Sequence, residues 1–199
     1  MLTAEKIYCV RNSRLLFSDI HFSIAPGEML QVGGHNGVGK SSLLRIVAGL
    51  LQPESGQVFW NNQLIMQSDF YQHLHYLGHL LGIKSELTIL ENILFALPDS
   101  QCSLDHIKII LKNWSLDNVM YDFCGTLSQG QRQRVALARL QLSTKRVWIL
   151  DEPFANLDNH GILQLEKLLQ NHLNNGGVIL LSTHHERALK GVKPMLLEL

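Results

Sequence analysis

Eight consecutive residues, Gly34-His35-Asn36-Gly37-Val38-Gly39-Lys40-Ser41, constrain this chain more than any other stretch of it. They match G-x-x-x-x-G-K-[ST], a pattern whose glycines let the backbone curl until successive N–H groups face inward around phosphate oxygens. The flanks agree. Met29-Leu30-Gln31-Val32 reads as a buried strand entering the loop, and Ser42 to Leu50 carries helical spacing through Leu43, Leu44, Val47 and Leu50. A helix N-terminus behind the loop adds partial positive charge for an anion. Lys40 is placed to reach the β- and γ-phosphates of a nucleotide, Ser41 to ligate Mg²⁺, and the stretch from Gly34 to Ser42 to form the binding loop.

A second segment completes such a site. Val147-Trp148-Ile149-Leu150 is an apolar strand that runs straight into Asp151-Glu152. Asp151 is expected to hold Mg²⁺, directly or through water, and Glu152 to polarise the attacking water, because γ-phosphate hydrolysis needs a base in line with the transferred group. The substrate implied by the two segments is a nucleoside triphosphate with Mg²⁺.

The remainder alternates strand and helix patterns. Ile7–Val10, Leu15–Phe17 and His21–Ile24 read as short strands separated by polar turns. Between about Thr88 and Thr126 the pattern turns helical, through Leu90, Ile93 and Leu94 and then Leu104, Ile107, Ile110 and Leu111, as in a small inserted subdomain. A helix near Gln131–Leu142, the strand at Val147, a helix at Ile162–Leu173, a strand at Val178–Leu181 and a last strand near Met195–Leu197 follow. This order predicts a largely parallel sheet covered by helices.

Composition sets bounds. Lys and Arg number 17 and so do Asp and Glu, a balance that speaks against a general nucleic-acid binder. Cys9, Cys102 and Cys124 are widely spaced; they are expected to be buried small apolar residues in a reducing compartment. No apolar run approaches the length of a membrane span, and charges at Glu5, Arg11 and Arg14 exclude a signal peptide. A soluble chain is therefore expected, able to attach to an integral membrane partner.

The two phosphate-site segments are shared by many enzymes; Leu127-Ser128-Gln129-Gly130-Gln131, continued by Arg132-Gln133-Arg134-Val135-Ala136-Leu137-Ala138-Arg139, is more selective. It resembles the signature Leu-Ser-Gly-Gly-Gln of the ABC (ATP-binding cassette) family, with Gln129 in place of the first paired glycine. The resemblance implies an α/β P-loop NTPase fold of ABC type, with a small N-terminal antiparallel β region and an inserted helical subdomain at about 88–126 in a single domain of 1–199. It also implies a homodimer, in which Ser128 and Gly130 contact the γ-phosphate bound to the opposite subunit. Ala155-Asn156-Leu157-Asp158 resembles the loop through which the two sites communicate, with Asp158 as its acidic member. Thr183-His184 resembles the switch histidine, so that His184 joins Glu152 as a catalytic residue; the adjacent His185 is given no role.

Two positions depart from the family pattern. His79 stands where Gln is usual, ahead of Thr88-Ile89-Leu90-Glu91-Asn92; a neutral imidazole there accepts a hydrogen bond from Mg²⁺-bound water, whereas direct ligation by a Gln carbonyl is lost. The N-terminal aromatic residue that usually stacks on adenine is not evident in the sequence, and Arg11 lies near its expected place with a guanidinium able to stack instead.

Gly78-His79-Leu80-Leu81-Gly82-Ile83-Lys84-Ser85-Glu86-Leu87-Thr88, the opening Val10-Arg11-Asn12-Ser13-Arg14-Leu15-Leu16-Phe17 and the compact insert together resemble the ATP-binding subunit of the bacterial cytochrome c maturation system, the haem exporter ATPase family. That resemblance implies a peripheral subunit at the cytoplasmic face of the inner membrane, bound to integral membrane subunits of that system. Its hydrolysis would support haem delivery, by releasing the haem-loaded chaperone. The alternatives are an ATPase subunit of another ABC transporter, or a non-transport ABC ATPase acting on a nucleic-acid or ribosome complex. Nothing reads as a haem site: no C-x-x-C-H occurs, and His73 and His75 alternate as on a strand edge.

Overall fold

The computed structural model describes residues 1–97, 102–183 and 194–199. In chain order the elements are β1 (Leu2–Arg11), β2 (Arg14–Ile24), β3 (Met29–Gly33), α1 (Lys40–Val47), β4 (Ser55–Trp60), β5 (Gln63–Leu64), α2 (Phe70–His73) and β6 (Leu74–Leu77). Then follow α3 (Ile89–Ala96), α4 (Leu104–Asn113), α5 (Gln129–Leu142), β7 (Val147–Asp151), α6 (Asn159–Asn174), β8 (Val178–Ser182) and β9 (Met195–Glu198). The chain packs as two compact units, one of residues 1–78, 145–153 and 169–199, the other of 79–144 and 154–168.

The first unit holds two sheets. An antiparallel sheet runs β2-β1-β4-β5 and a parallel one β6-β7-β8-β3-β9. Every residue of β7 and β8 is buried, as expected of parallel strands covered on both faces. Leu30, Val32, Ile149 and Leu180 pack in one core with Leu43, Leu44, Ile46 and Val47 of α1 and with Leu2, Ala4 and Ile7 of β1. Each Leu, Ile or Val among them contributes about 1.5–3 kcal/mol on burial. Register decides what meets at the sheet's C-terminal edge: Val32 of β3 pairs with Ser182 of β8, which pairs with Asp151 of β7. Behind the edge, His172 stacks on Trp148 at 3.6 Å and bonds the Arg146 carbonyl at 3.1 Å. Burial lowers its pKa to about 4.

Several local expectations change. The N-terminal segments form two long strands joined at Asn12 and Ser13, both with positive φ, as in the tight turn of a hairpin. The polar turn read between Phe17 and His21 is a bulge within β2, where Asp19 takes positive φ and the β1–β2 register shifts between Ile7 and Cys9; a further bulge lies at Lys6, also at positive φ. His73 is not on a strand; it ends α2 and bonds Asp69 at 3.0 Å, leaving only His75 on β6. Cys9 and Cys124 are buried, but Cys102 is half-exposed just ahead of Ser103, the residue that caps α4.

In the second unit, polar caps start the helices. Thr88 and Glu91 form a capping box at α3, and Ser128 and Gln131 form another at α5, which therefore begins at Gln129, two residues earlier than its apolar spacing shows. Asn92, buried, accepts from the Lys84 N–H and donates to the carbonyls of Lys84, Leu87 and Thr88, fastening the segment before α3. Among the described residues no helix is long and apolar enough to cross a membrane.

Candidate functional site

The loop between β3 and α1 turns on left-handed glycines, with φ of 120° at Gly34, 81° at Gly37 and 123° at Gly39. Gly39 is also spatially obligatory: a Cβ there would lie 2.9 Å from the Phe17 ring. As N-cap of α1 it supplies no side-chain hydrogen bond, and no acidic residue occupies the helix's first turn. The first-turn N–H groups thus face the loop without a capping side chain, the arrangement an anion requires. Lys40 is buried, and its ammonium donates to the carbonyls of Gly34 at 2.8 Å and His35 at 3.2 Å.

Asn36, Gly37, Gly39, Lys40, Ser41 and Ser42 line a cavity of about 280 Å³ that Asp151 and Glu152 close from the end of β7. Leu16 of β2 adds an apolar wall that reading the sequence missed; no local motif marks it, since the hairpin brings it there. Asp151 is buried and accepts from the Ser182 hydroxyl at 2.7 Å. The same hydroxyl accepts from the Glu152 N–H at 3.0 Å. Ser182 is therefore a second residue missed, detectable only once the β7–β8 register is known. Glu152 has φ of 51°, a left-handed conformation that costs a non-glycine residue about 1–3 kcal/mol and is kept where surrounding contacts impose it.

The donor set fits Mg²⁺. Ser41 and Asp151 bring one hydroxyl and one carboxylate to the same cavity, hard oxygen ligands of the kind Mg²⁺ shares with substrate phosphates. Among the described residues no group of three His, Cys, Asp or Glu side chains forms an all-protein metal site.

Other candidates lie elsewhere. Arg11, at the end of β1, donates to the Gln52 carbonyl at 3.2 Å and is not among the residues lining the cavity. His79 is exposed in the segment after β6. His184, the second catalytic candidate, lies outside the described residues, as does His185.

In the second unit, Ser128 is the N-cap of α5. Its oxygen accepts from the Gln131 N–H at 3.2 Å while its own N–H donates to the Gln131 side chain at 2.9 Å. The hydroxyl proton remains available to an anion. Asp158 accepts from the Gly161 N–H at 2.9 Å and from Arg134 at 2.6 Å. The Gly161 bond, with Arg134 beside it, holds this carboxyl below the usual carboxylate range.

Comparison with known proteins agrees with this geometry. A family model described as ABC transporter matches residues 17–155. The chain is 42% identical over 201 aligned positions to the cytochrome c biogenesis ATP-binding export protein CcmA of Photobacterium profundum, covering 94% of this chain and 93% of that one. A solved ATP-binding subunit of an ABC transporter superposes with a TM-score of 0.82 at 25% identity, covering 92% of this chain and 79% of that one. The dimeric ATP-binding cassette MJ0796, in a post-hydrolysis state bound to ADP and Pi, gives a TM-score of 0.78 at 22% identity, covering 93% and 88%, a likeness of fold.

Proposed function

The chain belongs to the ABC transporter ATP-binding family and is an ATPase of that type, and on this premise we propose that it powers a step of cytochrome c maturation. In this reading residues 1–199 form one ATP-binding domain with an inserted helical subdomain at about 88–126. Two copies sit at the cytoplasmic face of the bacterial inner membrane, bound to integral membrane subunits. Their hydrolysis of ATP supports haem delivery through release of the haem-loaded chaperone.

The observation that carries the chemistry is the convergence of Lys40, Ser41, Asp151 and Glu152 on one cavity. Lys40, now held by loop carbonyls, swings or shares its protons to meet the β- and γ-phosphates, while residues Gly34 to Ser42 wrap them with N–H groups. Ser41 and Asp151 hold Mg²⁺, which when bound neutralises charge on the phosphates. Ser182 keeps the Asp151 carboxylate oriented. Glu152 accepts a proton from the attacking water, and its strained backbone sets the direction of the carboxylate. His184 would hydrogen-bond the γ-phosphate and help to order that water, and His79 would accept a hydrogen bond from water held by bound Mg²⁺. Ser128 and Gly130 close over the γ-phosphate of the other subunit, and Asp158 relays between the two sites. Arg11, released from Gln52, would stack on adenine, and Leu16 offers the cavity an apolar wall.

The pathway rests on the 42% identity to the Photobacterium profundum protein across nearly the whole chain. The test is to purify the Glu152→Gln form with ATP from detergent-solubilised membranes and identify what accompanies it. Recovery of cytochrome c maturation subunits supports the reading. Another transporter's membrane domain keeps the ATPase chemistry and discards the pathway, and ribosomal or DNA-bound partners overturn membrane coupling altogether.

A further inference from the structure

The residues just beyond Glu152 change allegiance. Lys145 to Pro153, including β7, pack with the sheet unit, whereas Phe154 to Leu168 pack with residues 79–144. The loop Ala155–Asp158 is thus held by the unit that carries α5, although Asp158 is only six positions along the chain from Glu152.

Two contacts on one face of α5 make that attachment. At Gly130 the helix runs so close to the loop that a Cβ would lie 2.9 Å from the Asn156 carbonyl. Asn156 itself has φ of 59°, so the loop is bent by a left-handed non-glycine residue at the point of contact. Four residues on, and so on the same helical face, Arg134 reaches the Asp158 carboxylate at 2.6 Å with its own side chain only 19% exposed. The second Asp158 oxygen takes the Gly161 N–H in the first turn of α6. One carboxylate therefore joins the second turn of α5 to the first turn of α6. The Asp158 side chain is 57% exposed, and a pair this open to solvent contributes little to folding stability. What it does fix is geometry.

We propose that Arg134 is a positioning residue for hydrolysis: with the close seat at Gly130 it locks the Ala155–Asp158 loop to α5, so that displacement of the Ser128 end of α5 is passed along the chain to Glu152. This rests on the proposed roles of Ser128 and Glu152. Arg134 touches neither nucleotide nor water in it.

The experiment is steady-state ATP hydrolysis by the full chain, read as kcat and KM separately, beside thermal unfolding. The variants are Arg134→Met, Arg134→Lys and Asp158→Asn, the last of which keeps an acceptor for the Gly161 N–H. Arg134→Met and Asp158→Asn are each expected to lower kcat about tenfold, with KM within about twofold. The double variant should also fall only about tenfold, since the two side chains act as one unit. Arg134→Lys should recover most of the rate, and the melting temperature should hardly move. Unchanged kcat, losses that multiply in the double variant, or losses that track the melting temperature would each overturn the proposal. Failure of the underlying reading looks different: Glu152→Gln would then hydrolyse ATP normally.

Discussion

The two helices whose N-termini are assigned to phosphate, α1 and α5, begin in opposite ways. Helix α1 starts on a left-handed glycine with no capping side chain, so its first-turn N–H groups face a cavity already walled by Asp151 and Glu152. Helix α5 starts on a closed capping box, Ser128 and Gln131 each satisfying the other's backbone. The first is an anion site left incomplete by the fold; the second is a helix end that is stable as it stands. On the reading proposed above, the difference is a division of labour: α1 would bind nucleotide within a single chain, whereas α5 would be completed by the γ-phosphate of a second subunit.

The largest expected effect tests the cavity side. Glu152→Gln should lower kcat about 10²–10⁴-fold while nucleotide affinity persists, measured by single-turnover hydrolysis and equilibrium binding. The next tests α5 and can break the comparison outright. Ser128→Asp preserves a good N-cap but sets negative charge against the γ-phosphate, so hydrolysis should fall about 100-fold with the melting temperature unchanged. The isolated chain's affinity for nucleotide should stay as it was; if it falls with the rate, both helix starts serve one chain's site and the division fails. Ser128→Ala, by contrast, should cost about 0.5–2 kcal/mol of stability as well, because the cap is lost.

A smaller effect belongs to Ser182. Ser182→Ala leaves the buried Asp151 oxygen without its donor, and about 1–3 kcal/mol of stability should go with it. A raised Mg²⁺ requirement in titrations of the ATPase would show the orienting role.

The smallest is a pH dependence confined to the sheet unit. Burial holds the His172 pKa near 4, below the ordinary 6.5, so the unfolded chain binds the proton more readily. The neutral stack on Trp148 therefore contributes stability in full above about pH 6.5, and this is lost progressively as pH falls toward 4. Melting curves of the natural chain and His172→Phe should converge across that window; parallel curves would show that His172 does not titrate there.

The same contrast governs what could be read in advance. The phosphate loop and the strand into Asp151-Glu152 are contiguous motifs whose chemistry dictates spacing, and the structure brings both to one cavity. The ABC fold was legible from their order and from Ser128-Gln129-Gly130-Gln131. Ser182 was not, because its relation to Asp151 exists only through the pairing of β7 with β8. Leu16 enters the cavity wall by a hairpin whose polar interior residues imitate turns. The early start of α5 escaped because capping residues carry no apolar period. The pair between Arg134 and Asp158 joins positions 24 apart, both ordinary surface charges by type.

The placement of β3 reaches beyond catalysis into biogenesis. This strand is synthesised early, at residues 29–33, yet its partners on either side are β8 at 178–182 and β9 at 195–198. For most of its time on the ribosome the strand that delivers the phosphate loop has neither neighbour. Such distant pairing makes folding slow and leaves an apolar edge waiting for a partner. A nascent chain of this sequence cannot complete the sheet around the phosphate loop until β8 and β9 have emerged, so the energy-using site waits on strands made long after the loop itself.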